Sequence, residues 1–287
     1  MSDAVILMAY GSPSSIEDVP AYLADIREGK PVSERAVAEL TERYRRIGRS
    51  PLDEITDAQR AALERELDRR AYVGMKHWRP RIAEAVEAAL AAGADRIVGL
   101  VLAPHYSRLS IAGYRSRLED ALAGRAELEF VESWHDHPPF LDVLADRVRG
   151  TDRHVVFTAH SLPERILAAG DPYRDQLLET SRLVATRAGL TSWSFAFQSA
   201  SATGEPWLGP DILEELDRLD AEGVRKVLVC PVGFVSDHLE ILWDLDVEAR
   251  DRAAELGLDL ERIESLNADP AFVRALASLV RERLSVP

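Results

Sequence analysis

Short apolar runs alternate with amphipathic stretches along the whole chain. The runs are Val5–Ala9, Ala71–Met75, Ile97–Ala103, Leu128–Glu132, Val155–Ala159, Ser192–Phe197, Val227–Pro231 and Leu260–Ile263. Runs this short and this continuously apolar predict parallel strands covered on both faces. The stretches between them are long enough for crossover helices. The clearest are Glu34–Ile47, Ile55–Arg69, Ile82–Ala92, Asp175–Ala188 and Ile212–Glu222, with Gly189, Gly223 and Gly257 where C-terminal caps would fall. Four strands followed by four more predict an α/β protein of two similar doubly wound domains. Each is a four-stranded parallel sheet flanked by helices. The expected bounds are 1–135 and 136–269, with a cleft between them and a seam near His135–Pro139. The C-terminal helix, within 270–287, is free to join the first domain. The competing arrangement is one eight-stranded sheet.

In open α/β sheets, ligands bind at the carboxyl ends of the strands. Here those ends read Tyr10-Gly11-Ser12, Lys76-His77-Trp78, Pro104-His105-Tyr106-Ser107, Ser133-Trp134-His135, His160-Ser161, Gln198-Ser199 and Val232-Gly233-Phe234. Six of the 7 histidines fall at or just beyond a strand end, and His154 opens a strand. Surface decoration gives no reason for such clustering.

Charge narrows the partners. Asp and Glu number 49 against 35 Lys and Arg, a net charge of −14. That surface repels phosphate backbones, so nucleic acid is excluded, and docking on anionic lipid by charge is disfavoured. The single cysteine, Cys230, can form neither an internal disulfide nor a thiolate cluster. Met1-Ser2-Asp3 carries no basic region, Ala4–Tyr10 is too short for a signal core, and no apolar stretch would span a bilayer. A cytoplasmic, monomeric protein without a transmembrane segment is expected.

Candidate chemistry concentrates in three places. His160 ends an apolar strand and should face the cleft. A helix capped by Ser236 or Asp237 and running to about Leu256 carries Glu240, Asp244 and Glu248 at four-residue spacing, hence on one face. Carboxylates in a row repel, so such a face is either solvated and partly paired with Arg250 and Arg252, or turned inward to meet cations or protons. The loop Gln198–Asp211 is long and aperiodic, a common form for a functional loop. Dinucleotide, P-loop, serine-hydrolase and H-E-x-x-H signatures are missing.

Six segments in order then carry a resemblance. They are Leu7–Pro13, Gly74–Trp78, Leu102–Ser107, Phe157–Pro163, Glu205–Asp211 and Pro231–Glu240. Over nearly the whole chain the sequence resembles the ferrochelatase family, most closely the coproporphyrin III enzymes of Gram-positive type. The resemblance implies a chelatase-like fold and insertion of Fe²⁺ into coproporphyrin III to give coproheme in haem biosynthesis. It implies His160 and Glu240 as catalytic metal ligands or proton acceptors, with Asp244 and Glu248 as a metal or proton relay. Tyr10 would lie over the porphyrin face, and Arg27, Arg43, Ser50 and Tyr114 would hold propionates. Iron and the porphyrin are then substrates, no cofactor is required, and one cysteine leaves no room for an iron–sulfur cluster. Contact with neighbouring haem-pathway enzymes would be transient. The alternatives are a protoporphyrin IX ferrochelatase, a sirohydrochlorin or cobalt chelatase, and a non-catalytic porphyrin carrier. The chain is shorter than the family norm between Ser50 and Ala71.

Overall fold

A computed structural model describes residues 2–201 and 204–285. Residue 1, residues 202–203 of the long loop and residues 286–287 of the predicted C-terminal segment lie outside the described residues. The first half runs β1 (Asp3–Ala9), α1 (Val19–Ile26), α2 (Glu34–Ile47), α3 (Leu52–Leu67), β2 (Arg70–Met75), α4 (Ile82–Ala91), β3 (Arg96–Val101), α5 (Ile111–Leu122) and β4 (Glu127–Val131). The second runs α6 (Pro138–Val148), β5 (His154–His160), α7 (Arg165–Ala168), α8 (Tyr173–Ala188), β6 (Trp193–Gln198), α9 (Ile212–Ala221) and β7 (Lys226–Cys230). A π-helix, Ile241–Ala249, continues into α10 (Arg250–Leu256), then β8 (Asp259–Arg262) and α11 (Pro270–Leu284).

Each half forms its own four-stranded sheet, ordered β2-β1-β3-β4 and β6-β5-β7-β8. All pairings are parallel. The two orders are the same, so β1 and β5 are equivalent central strands. The single-sheet alternative is thereby excluded, and the two-sheet chelatase-type architecture stands.

Alternation along the strands explains the layers. Val5 and Leu7 of β1, with Val155, Phe157 and Ala159 of β5, enter one core shared by both halves. Ala4, Ile6 and Met8 face a second core under α4 and α5, while Val156 faces a third under α9 and the π-helix. Trp134, Phe140 and Phe272 fill the shared core. Each such side chain contributes ~1.5–3 kcal/mol by leaving water. Helix α11 packs on α3, α6, β3 and β4.

One predicted element is corrected. Neither Ser236 nor Asp237 caps the acidic helix, because both are engaged elsewhere. Ser236 Oγ accepts from Gln59 Nε2 of α3 at 3.0 Å, and the Asp237 carboxylate accepts from Ser265, Asn267 and Arg262. The helix begins later, and its first turns are π rather than α.

Candidate active site

Tyr10 and His160 stand at the carboxyl ends of the equivalent strands β1 and β5. Backbone contact holds both ends. A Cβ on Gly11 would lie 1.8 Å from the His77 carbonyl oxygen, and one on Gly233 would lie 2.5 Å from Ala159 Cβ. Only glycine allows these approaches, and they fix the chain at the two strand ends.

The imidazole of His160 is fixed at both edges. Its Nδ1–H donates to the Ser161 carbonyl, and Nε2 points at Glu240 Oε1, 3.4 Å away. The Tyr173 hydroxyl donates to the His160 carbonyl at 2.9 Å. With Nδ1 committed to a carbonyl, Nε2 is the nitrogen left for a metal or a proton. His238 approaches the other oxygen of Glu240 at 3.6 Å, its Nδ1–H held by the Ser236 carbonyl. His160 and Glu240 remain 30% and 35% open, so an incoming ligand can reach the pair.

Electrostatics polarise this group. Burial alone would push the His160 imidazole down, but the Glu240 carboxylate raises it to about 9. Burial alone would raise Glu240, but His160 and His238 hold its carboxyl well below the usual range. Asp244, one turn further, is only 4% exposed. Burial and then the Glu240 charge push it up to about 7, although Ser199 donates to it. Gln198, its amide oxygen bonded by Thr158, reaches the Glu240 carbonyl at 3.1 Å and Asp244 Oδ2 at 3.4 Å. Glu248 continues the row, close enough to raise both Asp244 and Asp211. The row is turned inward. The arginines that could have neutralised a surface face go elsewhere, Arg250 to Asp246 and Arg252 to Asp217 and Glu255.

Tyr10 is 42% exposed, with its ring 4.8 Å from that of His77. Burial and the Glu240 charge raise its phenol far above the ordinary value. Arg43 lies over the Trp243 ring at 5.3 Å, and its charge lowers Asp244. Arg27 lines a cavity of about 230 Å³ with Leu23, Pro31, Val32, Ser33 and Ala36. Ser50 and Tyr114 are buried: the Ser50 hydroxyl accepts from Leu52 N at 3.3 Å, and Lys76 Nζ sits 5.0 Å over the Tyr114 ring. Residue-by-residue sequence reasoning did not single out His77, His238, Ser199 or Tyr173 as site partners. The first three did stand at or just beyond strand ends.

Among the described residues, no three His, Cys, Asp or Glu side chains converge as a cage for an ion. No described helix is long and apolar enough to cross a membrane.

The two matched parallel sheets form a chelatase-type fold, with His160 at the end of β5 facing Glu240 at the start of the π-helix. Solved structures of that class share the fold. SirB from Bacillus subtilis with Fe³⁺ superposes with a TM-score of 0.68 at 12% identity, covering 99% of this chain and 96% of that one. CbiX, described as the terminal enzyme of siroheme biosynthesis in denitrifying bacteria, gives 0.56 at 11% identity over 99% and 100%. The ferrochelatase family profile matches residues 2–284, and the chain belongs to the ferrochelatase family. A ferrochelatase of Deinococcus radiodurans is 44% identical over 97% of this chain and 95% of its own. A coproporphyrin III ferrochelatase of Halalkalibacterium halodurans is 41% identical over 98% and 97%. The protein is thus an enzyme, a metal-chelating lyase of haem and porphyrin biosynthesis whose substrates are a porphyrin and iron.

Proposed function

We propose that this chain inserts Fe²⁺ into coproporphyrin III, giving coproheme. The observation that carries the reading is Tyr10, a half-exposed phenol at the end of β1, within electrostatic reach of Glu240. The surrounding cations support a polycarboxylate substrate. Arg117 acts on Tyr10 and, with Lys76, on His77, and Arg43 acts on Asp244. Arginine binds carboxylates bidentately, so four propionates suit such a rim better than two.

In this reading the macrocycle lies between Tyr10 and the His160–Glu240 pair. Metallation replaces two pyrrole protons with one Fe²⁺, so the site must give the ion a ligand and take two protons away. His160 offers Nε2 once its own proton has left, and neutral imidazole suits Fe²⁺. Glu240, held ionised, attracts the ion and accepts the two pyrrole protons in turn, each handed on before the next arrives. Asp244, titrating near neutrality, passes a proton toward Glu248. A two-donor site with open positions suits an ion that passes through.

The test is anaerobic Fe²⁺ insertion with coproporphyrin III and protoporphyrin IX side by side, followed by loss of free-porphyrin absorbance. Faster turnover of coproporphyrin III is expected, and Tyr10→Leu should narrow the preference. Preference for protoporphyrin IX would discard the substrate assignment and leave the ferrochelatase assignment intact.

A further inference from the structure

We propose that Asp25, near the end of α1, is a positioning residue for metal insertion: it clamps His77 against Tyr10 and so fixes the Tyr10 ring at the cleft.

Asp25 spends both carboxylate oxygens in this clamp. Oδ1 accepts from Arg81 Nη2 at 2.7 Å, and Oδ2 accepts from His77 Nδ1–H at 3.0 Å. His77 is buried, its backbone N–H donates to the Tyr10 carbonyl at 2.8 Å, and its ring lies 4.8 Å from the Tyr10 ring at 52°. The strand ends touch so closely at Gly11 that His77 cannot shift without moving the Tyr10–Gly11 turn. Helix α1 grips that turn twice, since Tyr22 of the same helix donates its hydroxyl to the Gly11 carbonyl at 2.8 Å. The Tyr10 carbonyl is therefore held by His77 N and the Gly11 carbonyl by Tyr22, and the half-exposed Tyr10 ring leans on His77.

The chemistry of the clamp is directional. An ionised Asp25 accepts only, so His77 must carry its proton on Nδ1, and one tautomer and ring orientation are selected. Burial pushes the Asp25 carboxyl up, and the Arg81 and His77 bonds outweigh it and keep it ionised. His77 itself is driven down by burial, against Asp25, so the ring stays neutral at working pH. A charged carboxylate and a neutral imidazole make a clamp that does not open across the range where the enzyme works.

The inference rests on Tyr10 facing the porphyrin, as proposed above. A displaced ring in the reacting geometry can cost a hundredfold or so in rate, and partial release should cost about tenfold. In the full-length enzyme, Asp25→Ala should lower turnover about tenfold with porphyrin KM within about twofold. Asp25→Glu should recover part of the loss. The decisive readout is a double-mutant cycle, because residues acting through one another are not additive. In a Tyr10→Ala background, Asp25→Ala should cost nothing more. If Asp25→Ala proves poorly folded, Arg81→Gln at the half-exposed outer end of the clamp should give the same non-additivity. Unchanged turnover in Asp25→Ala, or losses that add with Tyr10→Ala, would overturn the proposal while leaving wild-type iron insertion intact. Absence of iron insertion by the wild type would instead remove the functional reading, and this inference with it.

Discussion

Glu240 and Asp244 stand one helical turn apart, yet their carboxyls are driven in opposite directions. Glu240 takes the imidazoles of His160 and His238 and is held ionised. Asp244, buried behind it, meets the Glu240 charge, and the Ser199 hydroxyl and Gln198 amide do not offset it, so it rises to about 7. Burial thus yields a fixed anion at the cleft and a titrating one beneath it.

That difference makes a pH prediction. If Asp244 accepts a proton during turnover, the rate should rise with pH through about 7, and Asp244→Asn should abolish that limb. Stability should move the other way. The folded-state value lies above the unfolded one, so Asp244 contributes fully below its ordinary 3.8, and this is lost as pH rises through about 7. Thermal unfolding of Asp244→Asn should therefore gain on wild type between about pH 4 and about pH 7. A constant difference across that range would place the titration on another group.

His160 and Glu240 should be separable from porphyrin binding. His160→Ala removes the nitrogen aimed at the Glu240 Oε1 atom, and turnover should fall at least about a hundredfold, with porphyrin affinity changed no more than about threefold. Glu240→Gln should slow insertion more than it weakens binding. It should also let the His160 imidazole titrate lower, because the charge that raises it is gone. NMR of the His160 ring would show this. Equal loss of binding and turnover in both variants would make the pair structural.

Gly233 carries a steric prediction. A methyl there would sit 2.5 Å from Ala159 Cβ and 2.9 Å from Ala159 Cα, the residue before His160. Gly233 N also donates to the Thr158 carbonyl at 3.1 Å, so the loop cannot retreat without losing that bond. Gly233→Ala should cost about 1–3 kcal/mol in denaturant unfolding and reduce turnover by displacing His160. Unaltered turnover at lowered stability would show that the strand end absorbs the strain.

Much of this was legible in the sequence because it is written in short-range pattern. Eight apolar runs mark eight strands, and strand ends place Tyr10 and His160. The spacing of Glu240, Asp244 and Glu248 puts them on one face in either an α- or a π-helix. For that reason the sequence does not distinguish the two helices, and the π-helix was not foreseen. The partners were not legible either. Ser236 and Asp237 look like caps until Gln59, 177 residues away, takes one and Arg262 takes the other. Arg43 over Trp243, and Asp25 under His77, are likewise contacts between segments distant in the chain.

Asp171 joins the two halves of the molecule. Its carboxylate accepts from Ser107 Oγ at 3.0 Å and Arg108 N at 2.8 Å in the first half, and from Tyr173 N at 3.1 Å in its own. The residue is buried, and each carboxylate oxygen meets a backbone N–H, so Asp171→Asn would turn its amide N–H₂ toward one of them, at a cost of about 1–3 kcal/mol. Tyr173→Phe removes only the hydroxyl that holds the His160 carbonyl. It should lower turnover several-fold at nearly unchanged stability, whereas Asp171→Asn should lose both. If the joint serves stability alone, Tyr173→Phe will turn over like wild type. A rate loss confined to Tyr173→Phe would instead mean that His160 is held from within its own half, and that the grip on Ser107 and Arg108 is independent of the chemistry.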